Sequence, residues 1–208
     1  DNDGLGRAEQ FFVSVSKMPL FSDKLHSFRY LLQFDEQMNE LKARFTLLEK
    51  ACDEVIDSKK LAFVCKKLLC IGNLMNESSG KAAFASGITL DSLCKISKKK
   101  GSDGKVTLID HVVANEENDD DLCFWDETPT LRECTRLDLD EMKISLREIE
   151  TGAMMVERTM KAEQSLADSE DERLKQCSNE FLSKMTPFSE RARNELNAMN
   201  VIAEQTVS

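Results

Sequence analysis

The residues whose types could support chemistry are concentrated in one glycine-bearing stretch, residues 68–112. Five of the chain's eight glycines lie there, beside a cluster of lysines. Its segment GSDGKVTLIDHV is a candidate calcium loop, which needs glycine at its sixth position and oxygen ligands at its first and third. With Gly104 as the sixth residue, Lys99 and Gly101 take those two positions and bring no side-chain oxygen. An EF-hand is therefore not predicted.

A second segment of the same stretch, GNLMNESSGK, is a candidate phosphate-binding loop. The pattern GxxxxGK[ST] requires a hydroxyl residue after the lysine, and it follows a β-strand. Here Ala82 comes after Gly80 and Lys81, and no strand pattern precedes them. A nucleotide site is not predicted either.

Nucleophilic, acid–base and metal chemistry also lack their usual patterns. The two histidines, His26 and His111, do not stand beside a nucleophile signature. Carboxylates are numerous, but no pair is singled out. The seven cysteines form no CxxC motif and no Cys/His pair with zinc-ligand spacing, so neither a metal nor a cofactor is expected. We interpret the cysteines as reduced core thiols of a cytosolic protein. These patterns favour a binding protein over an enzyme.

The composition agrees with that interpretation. The 208 residues are 41% hydrophobic and 32% charged with only three prolines, which is typical of a soluble and strongly helical protein. A net charge of −10 argues against general nucleic-acid binding. No apolar run approaches the ~20 residues that cross a bilayer, so no membrane span is expected. The first residues contain no signal-peptide pattern.

Apolar residues at helical spacing lie on both sides of the glycine-bearing stretch. Residues 5–31 predict two short helices separated near Pro19, and a longer helix follows. That longer helix carries a heptad stripe, and so does a helix after the stretch. The stripes consist of Phe34, Met38, Leu41, Phe45, Leu48, Cys52 and Val55, and of Leu139, Met142, Leu146, Ile149, Ala153, Val156 and Met160.

Three further segments complete the helical prediction. A helix begins near Ser58. The segment LADSEDERLKQC is either a bend or a continued polar helix. The last segment, from Leu174 to Met199, is helical, and Pro187 is expected to bend or interrupt it.

Residues 111–130 differ from the rest, because they contain seven acidic residues and no lysine or arginine. We interpret them as a helix end followed by an acidic connector, which Trp125 should fix to the body. An antiparallel arrangement of the flanking helices follows, either as an elongated stalk with a compact tip or as a compact bundle.

The stretch IGNLMNESSGKAAFASGITLDSLCKISKKKGSDGKVTLIDHVV resembles the signature of the formin homology 2 domain. LGRAEQFFVSVSKMP and FLSKMTPFSERARNELNAM resemble that family's flanking segments, so the resemblance covers most of the chain. Leu74 replaces an aromatic residue of the family, and Ile88 replaces a phenylalanine. The matching residues are Gly72, Asn73, Met75, Asn76, Gly87, Leu90, Leu93, Lys95, Lys100, Lys105, Thr107 and Leu108.

The resemblance implies an all-α, elongated fold with an antiparallel coiled-coil-like stalk and a compact helical tip, the post. It places the end of the family's knob at residues 1–33 and outgoing stalk helices at 34–67. The post, with the glycine-bearing loop and the acidic connector, falls at 68–130, and returning stalk helices at 131–208. The family's lasso, its linker and the first part of the knob would precede residue 1.

The resemblance also implies a function and partners. A formin nucleates and processively caps filament barbed ends as a ring-shaped dimer, so actin and a second copy of the complete domain are the expected partners. The expected location is the cytoplasmic actin cytoskeleton. A fragment without the lasso should be inactive alone. The alternative is a generic helical coiled-coil scaffold without actin contact, in which residues 68–112 are dispensable.

The implied dimer pocket, which receives the partner's lasso, comprises Gly72, Asn73, Asn76 and Gly87. Glycine in a helix permits close approach by another chain. Asn73 and Asn76, three residues apart on a helix, could both hydrogen-bond a docked backbone. The other interpretation is a helix C-cap, with asparagine and glycine in turn roles. The residues alone do not choose between the two, and the resemblance favours the pocket.

The implied actin-binding residues are Lys95, Lys98, Lys99 and Lys100. Of these, Lys100 is implied to make the contact itself, and Lys98 and Lys99 to add electrostatic steering. Residues 95–105 contain five lysines and one aspartate in an otherwise acidic chain. Such a cluster is either a solvated surface loop or a docking face for an acidic protein, and actin is acidic.

Overall fold

The computed structural model describes residues 6–78, 84–96, 98–100, 104–116 and 118–207. Their secondary structure is helical, apart from one isolated antiparallel bridge between Lys100 and Thr107, so the all-α prediction is confirmed. Gly80, Lys81 and Gly101, which entered the loop comparisons, lie outside the described residues. The α-helices are α1 Arg7–Ser16, α2 Phe21–Asp57, α3 Lys59–Ser78, α4 Leu90–Ile96, α5 Leu108–Ala114, α6 Leu131–Cys134, α7 Leu139–Ala167 and α8 Glu172–Val207.

The chain divides into two compact units. One unit comprises residues 1–46 and 137–208, and the central unit comprises residues 47–136. The first is called the three-helix unit after its three long helices α2, α7 and α8, and it also contains the short helix α1. Helix α2 contributes to both. Across the described residues, no helix is both long and apolar enough to cross a bilayer.

Helices α2 and α7 of the three-helix unit run antiparallel. Lys24, near the start of α2, pairs with Glu163 near the end of α7, with 2.9 Å between Nζ and Oε2. Tyr30, further along α2, donates a 2.7 Å hydrogen bond to the carbonyl oxygen of Ile149, which lies earlier on α7.

Helix α8 runs parallel to α2 in the same unit. The rings of Phe28 and Phe181 meet edge to face at 5.6 Å. Further along both helices, Lys42 Nζ lies 2.8 Å from Glu195 Oε2. An antiparallel relation between the segments before and after the glycine-bearing stretch is therefore present between α2 and α7, and α8 adds a third helix to the packing.

The predicted stripes supply the buried residues of this unit. The rings of Phe34 and Phe188 meet edge to face at 5.4 Å, a geometry that contributes about 1 kcal/mol beyond the burial of area. Because apolar residues recur every three or four positions, each helix turns one continuous apolar side to its neighbours. The buried stripe residues here are Phe34, Met38, Leu41, Phe45, Met142, Leu146, Ile149, Val156, Phe181, Met185, Phe188, Ala192 and Met199.

The positions at which the helices begin and end test three local predictions. The break near Pro19 is present, with Leu20 in the left-handed region at φ 52°, but the helix that follows is not short. Helix α2 continues to Asp57 because its apolar stripe starts before Phe34 and no helix-breaking residue interrupts it. The segment after Ala167 is a bend, since α7 ends there and α8 begins at Glu172.

The prediction that Pro187 interrupts the last helix is wrong. Pro187 lies on the exposed side of α8, which is continuous from Glu172 to Val207. Met185 and Phe188 beside it are buried. Their burial stabilises the helix on both sides of the proline, and this offsets the missing backbone donor.

In the central unit, α3 begins as predicted at Ser58. The Ser58 hydroxyl accepts a 3.0 Å hydrogen bond from the Leu61 amide. The carboxylate of Glu127 accepts from the Ser58 hydroxyl at 2.7 Å and from the Lys60 amide at 2.9 Å. These bonds hold the pKa of Glu127 below its ordinary value. A carboxylate at a helix N-terminus also interacts favourably with the helix dipole.

The acidic connector packs along α3 of the central unit. It contains two short 3₁₀-helices, Asp119–Leu122 and Phe124–Asp126. Lys60 Nζ lies 3.0 Å from Asp120 Oδ2, and Lys67 Nζ lies 2.9 Å from Glu116 Oε2. Two lysines of α3 therefore neutralise part of the connector's negative charge.

Two expectations concern single side chains of the central unit. The role of Trp125 in fixing the connector stays a prediction, because 54% of its surface is exposed and the rest faces an apolar groove that Val64 and Leu68 of α3 also line. The cysteines are free thiols, as predicted, but none is a fully buried core residue, and Cys52, Cys70 and Cys94 are exposed. At the end of the first stripe the buried position is Ala51, one residue before Cys52, because the small alanine permits closer packing.

Candidate protein-binding site

Gly72 lies inside a continuous helix, since α3 extends from Lys59 to Ser78. The C-cap interpretation of this glycine is therefore wrong. A Cβ atom at Gly72 would meet nothing within 4 Å. The glycine thus leaves a strip of helix backbone open at the Cβ position among the described residues, and another chain could approach it closely.

Asn73 pairs with the backbone of Ala85. Its Nδ2 donates to the Ala85 carbonyl oxygen at 3.0 Å, and its Oδ1 accepts from the Ala85 amide at 2.9 Å. One side chain thereby satisfies both polar groups of a residue that lies outside regular structure. The expected recognition of a backbone by Asn73 is present, but the backbone belongs to the same chain.

Apolar side chains flank this hydrogen-bonded pair and are open to solvent. Leu74 is 59% exposed, Met75 44% and Phe84 69%. Gly87 follows two residues after Ala85. Among the described residues, no atom lies within 4 Å of the position that a Cβ would take at Gly87. Asn76 is half-buried on α3. The surface around Asn73 and Ala85 is therefore apolar and left open to solvent by the described residues.

The lysine cluster lies on a tight turn that follows α4. The amides of Lys98 and Lys99 donate to the carbonyl oxygens of Lys95 and Ile96, at 3.2 and 3.0 Å. The chain then reverses direction. Lys100 and Thr107 form an antiparallel β-bridge, and the Leu108 amide donates a 3.2 Å hydrogen bond to the Lys99 carbonyl oxygen. Lys95 lies in the last turn of α4, so the structure brings the four predicted lysines together.

Helix α5 fixes the far side of this turn. Thr107 is its N-cap and accepts from the Asp110 amide at 3.1 Å, while the Asp110 carboxylate accepts from the Thr107 amide at 2.8 Å. This capping box stabilises the helix start, and the hydrogen bonds from Thr107 hold the pKa of Asp110 below its ordinary value. Gly104 has φ 68°, in the left-handed region that glycine adopts at little cost, which lets the chain reverse.

The side chains of Lys95, Lys98, Lys99 and Lys100 are exposed. Within the part of the chain that the structure describes, no carboxylate lies within 4.0 Å of their Nζ atoms. Lys60 and Lys67 of the same unit are paired with acids. The cluster therefore differs from Lys60 and Lys67 in presenting its charge to solvent.

An apolar groove of about 380 Å³ lies in the same unit, and sequence reasoning did not find it. Helix α3 contributes Val64 and Leu68, four residues apart on one side of the helix. The signal was present in that spacing and in the apolar run of α5, but their convergence depends on packing. The remaining lining residues are Ile109, Val112, Val113, Leu122, Cys123, Phe124 and Trp125.

The fold and the site define an all-α domain that presents an open helix face and an exposed basic turn. Among the described residues no group of three or more histidine, cysteine or acidic side chains is arranged to hold a metal ion. Residues 1–207 match the Formin Homology 2 Domain, and the chain belongs to that family.

Similar proteins come from plants and animals. The chain is 28% identical over 202 residues to Formin-like protein 5 of Oryza sativa subsp. japonica, which covers 96% of this chain and 12% of that protein. It is 27% identical over 198 residues to Protein diaphanous homolog 3 of Homo sapiens, covering 94% and 17%. It is 37% identical over 112 residues to Formin-like protein 20 of Arabidopsis thaliana, covering 54% and 7%. The chain thus spans a small part of each relative's length.

Proposed function

We propose that this chain is the actin-binding part of a formin that nucleates filaments and processively caps their barbed ends as a ring-shaped dimer. The observation that carries the proposal is the exposed lysine turn, Lys95 with Lys98–Lys100, in a chain of the Formin Homology 2 Domain family. The formin acts by the geometry of its binding to actin and not by making or breaking covalent bonds. It acts in the cytoplasmic actin cytoskeleton.

Electrostatics support actin as the partner of this turn. The chain carries a net charge of −10, so two acidic proteins repel each other unless basic residues are gathered at the contact. Because no described carboxylate pairs with these lysines, binding an acidic surface does not first break an internal ion pair. Lys100 is the residue to which the resemblance assigns the contact itself, and Lys98 and Lys99 speed the encounter.

The open face around Gly72 supports dimerisation through the post. In this proposal the partner copy's lasso lies on the surface formed by Gly72, Asn73, Asn76 and Gly87. The exposed apolar side chains of Leu74, Met75 and Phe84 give that surface the character of a protein-binding patch. Two copies related by a two-fold axis can then hold each other, because each supplies a lasso and a post.

Lys100→Asp tests the actin contact. In the full-length polypeptide, this change should reduce nucleation in a pyrene-actin assay about tenfold or more, because it replaces a contact with a like-charge repulsion. Lys184→Asp is the matched control, since Lys184 is an exposed helical lysine on α8. Circular dichroism should be the same for both variants. Undiminished nucleation by Lys100→Asp would remove the role proposed for Lys100.

Lys98→Asp tests the steering role. We expect a slower association rate at low ionic strength and little difference at high ionic strength, because salt screens charges beyond about 10 Å at 0.1 M. An effect of Lys98→Asp that is equally large at all salt concentrations would indicate a direct contact.

Gly72→Trp tests the dimer surface. The added ring should fill the open strip of α3 and weaken dimerisation of the full-length polypeptide, measured by sedimentation equilibrium. Cys70→Trp is the control, because Cys70 is exposed two residues earlier and so points away from Gly72 by about 200° around the helix. Equal dimerisation of the two variants would place the dimer contact elsewhere.

The alternative function is a helical scaffold without actin contact. Co-sedimentation of the full-length polypeptide with actin filaments separates the two. The scaffold predicts no co-sedimentation, and it predicts that changes in residues 95–100 have no consequence.

A further inference from the structure

A buried polar cluster joins the three long helices of the three-helix unit. Lys24 of α2, Glu163 of α7 and Cys177 of α8 meet there. Lys24 Nζ lies 2.9 Å from Glu163 Oε2 and donates to Cys177 Sγ at 3.6 Å. The side chains of Lys24 and Glu163 are 7% and 0% exposed. None of the apolar stripes predicts such a cluster, and the proposed actin and dimer contacts make no use of it.

The carboxylate of Glu163 is incompletely satisfied. The 2.9 Å separation between Lys24 Nζ and Glu163 Oε2 is that of an ion pair, but among the described residues neither carboxylate oxygen of Glu163 accepts a hydrogen bond. An unsatisfied buried carboxylate is costly. The Oε2 atom of Glu163 also lies within proton-transfer distance of the Lys24 amine.

Cys177 differs from the other two members in its access to solvent. Its side chain is half-buried, and it is a free thiol. A small oxidant can thus reach the sulfur while the amine beside it is held in place. Because Lys24 is almost fully buried, its nitrogen is kept close to Cys177 Sγ and is not free to move into solvent.

We propose that Lys24 and Cys177 form a covalent nitrogen–oxygen–sulfur bridge when the protein meets a peroxide, so that this cluster is a redox-sensitive cross-link between α2 and α8. A bridging oxygen fits the observed geometry, because it spans more of the 3.6 Å between nitrogen and sulfur than a direct S–N bond does.

The atoms and electrons of the step balance with two molecules of peroxide. The Cys177 sulfur attacks the first, is oxidised by two electrons to the sulfenic acid, and releases one water. The Lys24 ammonium gives a proton to the Glu163 carboxylate and becomes the neutral amine. The N–O bond then forms as one N–H and the S–O–H lose their hydrogens, and the second peroxide takes up these two hydrogens and becomes two waters. The products are R–NH–O–S–R′ and three waters.

The bridge would tie together two helices that are far apart in sequence. Lys24 and Cys177 are 153 residues apart, so the cross-link closes a long loop and removes many conformations from the unfolded chain. The oxidised three-helix unit is therefore more resistant to unfolding than the reduced one, and a thiol reductant reverses the effect.

Peptide mapping by mass spectrometry tests the proposal on the intact chain treated with hydrogen peroxide. The expected product joins the peptide of Lys24 to that of Cys177, with a gain of one oxygen and a loss of two hydrogens, about +14 Da. Dithiothreitol should remove it. The oxidised protein should show a thermal midpoint about 5 °C or more above that of the reduced protein.

Two variants and one internal control make the result specific. Cys177→Ser and Lys24→Arg should each abolish the +14 Da product, and Lys24→Arg retains the positive charge beside Glu163. Cys70, an exposed thiol with no lysine hydrogen bond among the described residues, should gain only oxygen adducts. If Cys177 of the unmodified sequence gains only one or two oxygens, or joins another cysteine, with no link to Lys24, the proposal is overturned.

Discussion

The ring of Tyr30 packs directly on the backbone of Gly152. A Cβ atom at Gly152 would lie 3.0 Å from Tyr30 Cζ and closer still to Cε2 and Cδ2. In this position the buried Tyr30 hydroxyl donates to the Ile149 carbonyl oxygen at 2.7 Å, and burial raises the pKa of Tyr30. A glycine inside a helix costs about 1 kcal/mol relative to alanine. At Gly152 that cost is offset by the close approach of α2 to α7 that the missing side chain permits.

Gly152→Ala should therefore destabilise the protein, although alanine is the better helix former. The added methyl group must displace the Tyr30 ring and its hydrogen bond. We expect a loss of about 1–3 kcal/mol in the free energy of unfolding, typical of overpacking, measured by urea denaturation followed by circular dichroism.

Gly72→Ala is the matched control for Gly152→Ala. It makes the same change inside α3, where an added Cβ meets nothing within 4 Å. We expect this variant to be more stable by up to about 1 kcal/mol. Effects of the same sign at both glycines would show that helix propensity, and not contact with Tyr30, determines the result at Gly152.

Ile149→Asp should cause a large loss of stability. Ile149 is 4% exposed in the seam between α2, α7 and α8, and a buried charge without a partner is costly. We expect a loss of about 3 kcal/mol or more and a lower thermal midpoint. Ile144→Asp is the control on the same helix, where the side chain is 52% exposed, and its midpoint should change little. An unchanged midpoint for Ile149→Asp would contradict the register of α7.

Acid should destabilise the central unit through two carboxylates. Glu54 accepts from the Thr130 hydroxyl at 2.6 Å and from the Thr130 amide at 2.9 Å, and Glu127 caps α3. Hydrogen bonds from Thr130 hold the pKa of Glu54 below its ordinary value of 4.5, and those from Lys60 and Ser58 do the same for Glu127.

The direction of the pH effect follows from these lowered pKa values. A carboxylate with a lower pKa in the folded state stabilises the fold above the unfolded pKa, and this stabilisation is lost as the pH falls from about 4.5 through the folded pKa. Trp125, the only tryptophan, lies in the central unit and reports its unfolding by fluorescence.

The doubly substituted variant Glu54→Gln, Glu127→Gln should be less stable at neutral pH and should show a weaker acid dependence. Glu49→Gln, a change at an exposed residue of α2, is the control and should follow the original chain. A steep acid dependence that persists in the double variant would mean that other carboxylates are responsible.

Much of the fold could be predicted because apolar spacing acts locally. The stripe Phe34–Met38–Leu41–Phe45 is buried as predicted, and so are Met142, Leu146, Ile149 and Val156. The period of the helix alone decides which residues share a side, whichever partner covers that side. The N-cap at Ser58 was also predictable, because capping depends on a few neighbouring residues. The four lysines of the candidate site lie within six residues, so their proximity needed no tertiary information.

Tertiary structure decided what depends on partners distant in sequence. No local pattern shows that Gly152 contacts Tyr30, that Asn73 bonds to Ala85, or that α3 and α5 form a groove. The sequence could not show whether Pro187 would interrupt α8, because the burial of Met185 and Phe188 on both sides of it depends on the neighbouring helices. Likewise Lys24, Glu163 and Cys177 look like ordinary residues of polar helix ends. They become a buried cluster only because three helices pack together, and burial changes what a charged group and a thiol can do, since it removes water as their alternative partner.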